Sequence, residues 1–234
     1  MAYMDILPDP TNKILDSGLA NASGTAGPGF ASVKLTSEQK TLMSRTHSGR
    51  VIRRAIAGQY WKIALTYNPL TRAEFDPVNS FLMAMQGSLK PFYVMLPQYS
   101  AFNTSNSSNA VTAADGATVP AGRTYMKISY SGAGTPQPGD IFNIVDGTNS
   151  NHVKTYMVTR YETNSSHSTE FGALSSGQKR LSFNPPLVYS VPNGTELEFT
   201  DPKIKVIKTG STQEYSLNTD NLYKFSLNLE EALP

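Results

Sequence analysis

Residues 58–87, GQYWKIALTYNPLTRAEFDPVNSFLMAMQG, decide the fold. Trp61, Ile63, Leu65 and Tyr67 fall on one side of an extended chain, and Tyr60, Lys62, Ala64 and Thr66 on the other. A period of two with bulky apolar groups on one side predicts a β-strand lying on a core. Joined to the preceding RVIRRAIA, that strand is longer than the usual five or six residues. Gly58 interrupts it and predicts a bulge or a close backbone approach. NPL then turns the chain, with Pro69 fixing one dihedral. Thr71 and Glu74 match a helix capping box, but Pro77 would break a helix continuing from there. The expected helix therefore starts with Asp76 as N-cap and Pro77 as first residue. Val78, Phe81, Leu82 and Met85 give it an apolar stripe, and Gly87 ends it. About ten residues of helix need a sheet to bury that stripe, and the apolar KPFYVMLP at 90–97 can supply one.

Outward from this unit the chain is mainly β. VKLT at 33–36 alternates. The closing NLYKFSLNLEEAL puts Tyr223, Phe225, Leu227 and Leu229 on one face, with Lys224, Ser226 and Asn228 on the other. Between these lie TYMKISY, DIFNIVD, VKTYMVTRY, KRLSFNP, TELEFT and KIKVIK, punctuated by Pro-Gly-Asp, Asp-Gly, Pro-Pro and Asn-Gly turns. Short strands spaced this way predict a small barrel or sandwich. The closing strand resembles the 60–67 strand more than anything in the middle, so the expected organisation is discontinuous. Residues 32–98 and 208–234 form one domain, and 99–207 is an inserted β domain led by a polar linker at 98–122. Residues 1–31, centred on SGLANASGTAGPG, have too few apolar groups to order alone and are expected to be a flexible arm. The fold class is β-rich α+β with one short helix.

The 234 residues, with a mean hydropathy of -0.31 and 39% hydrophobic content, suit a soluble core-forming chain. No window approaches a membrane span, and the N-terminus lacks the charged-then-apolar order of a secretion signal. Cysteine is absent, which excludes disulfides and thiolate metal sites. His47, His152 and His167 are scattered through polar segments with no metal-ligand spacing and read as surface residues. No G-x-S-x-G elbow occurs, GTAGPG lacks the Lys-Ser/Thr of a phosphate loop, and no carboxylate pair stands out among the 18 acids. No enzyme, cofactor or metal is expected. Between Glu38 and Glu74 there is no acid, against seven cations: Lys40, Arg45, Arg50, Arg53, Arg54, Lys62 and Arg72. They are either a solvated strand face or a basic arm set against an acidic surface or a polyanion.

The order RRAIAGQYWKIALTYNPLTRAEFDPVNSFLMAMQGS, FYVMLP, an inserted PGDIFNIVDG…KRLSFNPPL module and a returning YKFSLNLEEAL resembles structural proteins at the distal end of bacteriophage tails: baseplate-hub and tube-initiator proteins built on the tail-tube fold. The resemblance implies a tail-tube-like sandwich or barrel with a small inserted β domain, and a virion protein assembled in the host cytoplasm. It implies a hexameric ring whose partners are its own copies, the tail tube and other baseplate proteins, with DNA as passing cargo and no membrane contact. It places Arg50, Arg53, Arg54, Gly58, Gln59, Tyr60, Trp61, Tyr223, Phe225 and Leu227 at the interface between copies. The alternative from another class is a carbohydrate-binding β module using Tyr60 and Trp61 as a stacking platform.

Overall fold

The structure, a computed structural model, describes residues 4–15, 17–55, 58–96, 98, 111–130, 134–210, 214–218 and 220–232. Residues 1–94 with 205–233 form one compact unit, and residues 95–204 a second.

The first unit is a five-stranded sheet covered by one helix. In sheet order the strands are β1 (Phe30–Glu38), β4 (Tyr60–Tyr67), β15 (Ser226–Glu231), β12 (Lys203–Lys208) and β5 (Phe92–Met95). The alternation at 60–67 appears directly in the burial of Trp61, Ile63, Leu65 and Tyr67. Across the antiparallel ladder Ile63 faces Leu229 and Leu65 faces Leu227, so two segments far apart in sequence share one apolar face. Each such side chain contributes about 1.5–3 kcal/mol by leaving water.

Helix α1 (Arg72–Ala84) buries Phe75, Val78, Phe81 and Leu82. Phe75 stacks on Tyr223 with centroids 4.5 Å apart and also meets Phe225 and Tyr215, while Phe81 sets its edge against Phe92. The start of α1 corrects the expected register. Thr71, not Asp76, is the N-cap, and Pro77 lies inside the helix. The Glu74 carboxylate accepts from both the Thr71 N–H (2.8 Å) and its hydroxyl (2.7 Å). That capping interaction, with burial of Phe75 in the first turn, outweighs the one hydrogen bond Pro77 cannot make.

Four further expectations are corrected. The N-terminal segment is not a loose arm in its described part, because Met4, Leu7 and Ile14 are buried. The Leu7 N–H donates to the Tyr93 carbonyl and the Tyr93 N–H to that of Asp5, attaching the segment beside β5. A Cβ on Gly24 or Gly27 would sit within 2.5 Å of the Ile14 or Pro8 backbone, so these glycines serve close packing. The long strand divides in two. β2 (Thr41–Arg45) and β3 (Val51–Ala55) form a separate hairpin, and β4 starts anew at Tyr60. Gly58 precedes β4 with open space around it, neither a bulge nor a close approach. KIKVIK is β12 of the five-stranded sheet and not a strand of the middle module.

The second unit contains a closed six-stranded barrel. Its strands are β6 (Val111–Ala113), β7 (Tyr125–Ser129), β8 (Ile141–Val145), β9 (Thr155–Thr163), β10 (Lys179–Asn184) and β11 (Glu196–Glu198), ordered β10-β7-β6-β11-β8-β9. Met126, Phe142, Tyr156, Leu181 and Phe183 fill its centre. The span expected to be a polar linker supplies β6 and the buried Val119, which bridges to Val191. In the first unit, β13 (Ser216–Leu217) and β14 (Tyr223–Lys224) make a short ribbon beside Phe75.

Candidate assembly surface

β2 and β3 are joined by the turn 46–50, where the Thr46 hydroxyl oxygen accepts from the Arg50 N–H and Gly49 takes φ 83°. In this register Leu42 faces Arg54, Met43 faces Arg53 and Ser44 faces Ile52. Cross-strand partners share a face, so Leu42, Ser44, Ile52 and Arg54 make one side, and Met43, Arg45, Val51 and Arg53 the other. Leu42, Met43 and Ile52 are 59%, 66% and 55% exposed. A two-stranded ribbon is marginally stable on its own, and exposed apolar groups gathered on it mark a contact surface.

The basic run divides in this setting. Lys62 pairs with Glu38, and Arg72 with Asp76 at 3.4 Å. Lys40, Arg45, Arg50, Arg53 and Arg54 have no ion pair among the described residues and all belong to the hairpin or its approach. Sequence reasoning found these cations and missed the apolar half of the surface. The signal was a Ser48-Gly49 turn between two short apolar-and-basic runs.

The other residues expected at an interface divide by burial. Arg50, Arg53, Arg54 and Gly58 are exposed, and Tyr60 and Tyr223 half-buried. Gln59, Trp61, Phe225 and Leu227 are buried in their own unit and cannot present side chains to a neighbour. Gln59 donates to the Ser37 hydroxyl at 3.0 Å. The Trp61 N–H donates to the buried Glu231 carboxylate at 3.1 Å, and Phe225 stacks on Tyr67. The sequence pattern identifies them as apolar-face residues without distinguishing a core from an interface. An interior Trp61 also removes half of the platform on which the carbohydrate reading depended.

The sheet's two margins differ. β5 has residues 5–7 alongside it, held through Tyr93. β1, nine residues long, pairs only with β4, and its outer edge has no strand partner among the described residues. A long unpaired edge is a template for another chain.

The barrel holds two buried polar clusters. Arg180 lies across from Glu162 in the β9–β10 ladder and pairs with it, Nε to Oε2 at 2.6 Å. Its other nitrogens donate to the carbonyls of Ser168, Phe171 and Gly172 at 2.9–3.0 Å, which fastens the 164–178 loop. Burial raises the Glu162 carboxyl, but hydrogen bonds from Arg180 and the Ser168 N–H, with the Arg180 and Arg160 charges, hold it below the ordinary range.

His152 corrects the expectation of a surface histidine. It is buried, with Nε2 2.9 Å from the Tyr156 hydroxyl and Nδ1 3.7 Å from an Asp146 oxygen, beyond hydrogen-bonding reach. Burial lowers its pKa against the opposing pull of Asp146. Below about pH 6.5 the unfolded chain therefore takes up a proton that the folded barrel resists, and stability falls with pH until the lowered folded value is passed. His152→Gln is expected to flatten that slope below about pH 6.5, read as the urea midpoint against pH. An unchanged slope contradicts this assignment. Among the described residues no group of three or more His, Asp or Glu side chains could hold a metal ion, and no helix is long and apolar enough to cross a membrane.

A family model described as "Distal tail protein pb9, A domain, N-terminal" matches residues 7–99, the span that holds the hairpin, β4 and α1. The distal tail protein pb9 of Escherichia phage T5 is 27% identical over 214 residues, covering 88% of this chain and 94% of the relative.

Proposed function

We propose a specific place for this chain, whose similarity to distal tail proteins supports a structural role in a bacteriophage tail: it is one subunit of a hexameric ring where the tail tube meets the baseplate. The observation that carries this reading is the β2–β3 hairpin, apolar and cationic on both faces and exposed on both. A hairpin reaching a different surface of the next copy makes a head-to-tail contact, and such contacts close into rings when the rotation allows. The open edge of β1 offers a second surface to a neighbour.

The role follows as assembly and conduction. The closed ring templates the first layer of tail tube, touches tube and baseplate proteins on its two faces, and lets DNA pass at delivery. No turnover and no cofactor are required. The five hairpin cations are placed between subunits, because a cationic lumen would retain the phosphate backbone.

The test uses the double variant Arg53→Glu/Arg54→Glu in the full chain with tube subunits present, followed by solution mass. Both sites are exposed, so the thermal midpoint is expected to stay within the ~0.5 kcal/mol typical of surface changes. Ring-sized particles are expected to disappear, because like charges at a contact cost several kcal/mol. A wild-type chain that stays monomeric under these conditions, or a variant that assembles as wild type does, contradicts the proposal.

A further inference from the structure

A groove of about 930 Å³ runs between the N-terminal segment and α1 in the first unit. Its size falls within the ~300–1,000 Å³ of clefts that take up side chains or ligands. Leu15, Pro77 and Met85, each half-buried, contribute apolar walls, and Asp5 and Asp76 contribute carboxylates. Its one cation, Lys90, donates to the Ala84 carbonyl at 3.4 Å and so lies toward the C-terminal end of α1. Asp5 has no ion pair among the described residues. The Arg72 that meets Asp76 is 82% exposed, an arrangement worth little and readily exchanged. The groove thus offers apolar walls and two carboxylates, and Lys90 is its only charged donor.

The hairpin offers the complement. Its Leu42–Ser44–Ile52–Arg54 face has two aliphatic side chains more than half exposed and one guanidinium with no ion pair among the described residues. On the other face Val51 is already half-covered. We infer that the groove between residues 4–18 and α1 is the seat for the β2–β3 hairpin of the next copy, with Leu42 and Ile52 against the Leu15–Pro77–Met85 walls and Arg54 directed at Asp5 and Asp76. The inference rests on the ring proposed above and names the receiving surface. It also gives the docked N-terminal segment a purpose, since that segment supplies the wall of the groove facing α1.

The chain contains no cysteine, so introduced thiols are the only ones it carries. Ile52→Cys and Ser80→Cys change two exposed residues, the second in the groove lining. Val145→Cys, half exposed in the second unit, is the control. The single-cysteine proteins are mixed pairwise with tube subunits present and oxidised mildly, and covalent dimers are read on a denaturing gel while rings are read separately by mass. The 52–80 mixture is expected to form dimer at least about tenfold faster than the 52–145 mixture, because docking raises the local thiol concentration toward the millimolar range. The double variant Ile52→Cys/Ser80→Cys is expected to give a covalent ladder ending at the ring number. Rings without 52–80 dimers overturn the inference and leave the ring proposal standing. Neither rings nor dimers overturns both. A ladder running past the ring number keeps the seat and refutes ring closure.

Discussion

Arg180→Met is expected to destabilise the barrel by about 3–5 kcal/mol, nearer the lower figure, which lowers its melting transition by at least about 10 °C. The reason is what the substitution leaves behind. Glu162 stays 3% exposed with only the Ser168 N–H and the half-exposed Arg160, 3.5 Å away, to face it. The carbonyls of Ser168, Phe171 and Gly172 lose their guanidinium donors together. Glu162→Leu/Arg180→Met removes the buried charge as well and is expected to cost less than the sum of the two single changes, by about 1–3 kcal/mol. Acid has a related effect. The depressed carboxyl of Glu162 gives stability that is complete above its unfolded value, near 4.3, and is lost as pH falls through its lower folded value. Calorimetry of the full chain reads the melting shift. Additive single and double variants, or a loss under about 1 kcal/mol, contradict the account.

Phe75→Ala is expected to cost the first unit about 3–5 kcal/mol. Phe75 is 1% exposed and meets Tyr215, Tyr223 and Phe225, so truncation leaves a cavity among three rings of the C-terminal segment. The only tryptophan, Trp61, is buried in the same unit, so its emission during urea unfolding reports this loss. A midpoint shift worth less than about 1 kcal/mol means that the aromatic cluster can collapse onto the gap.

Both residues lie in parts of the molecule that differ in how far the sequence revealed them. Trp61, Ile63, Leu65 and Tyr67 alternate so cleanly that strand and buried face follow together, and the closing strand's alternation matches it. The stripe at Val78, Phe81 and Leu82 likewise fixes the helix face. The helix start misled because Pro77 carries a strong local penalty, whereas the compensation depends on Glu74 and on Phe75 finding three rings from the end of the chain. Gly24 and Gly27 misled for a related reason. Glycine serves disorder and close backbone contact equally well, and only the position of Ile14 and Pro8 distinguishes them. β6 is three residues long, below the length at which alternation can be recognised. Arg180 and Glu162 become partners only through the β9–β10 register. The hairpin hid its apolar half because Leu42, Met43 and Ile52 fall on both faces, and a segment without a buried side has no amphipathic period.

The most direct measurement is electron cryomicroscopy of the full chain assembled with tube subunits. Closed rings are expected, with the 41–55 hairpin of each copy laid on the next. A chain that stays monomeric, or a hairpin folded back against its own subunit in every copy, would contradict the account.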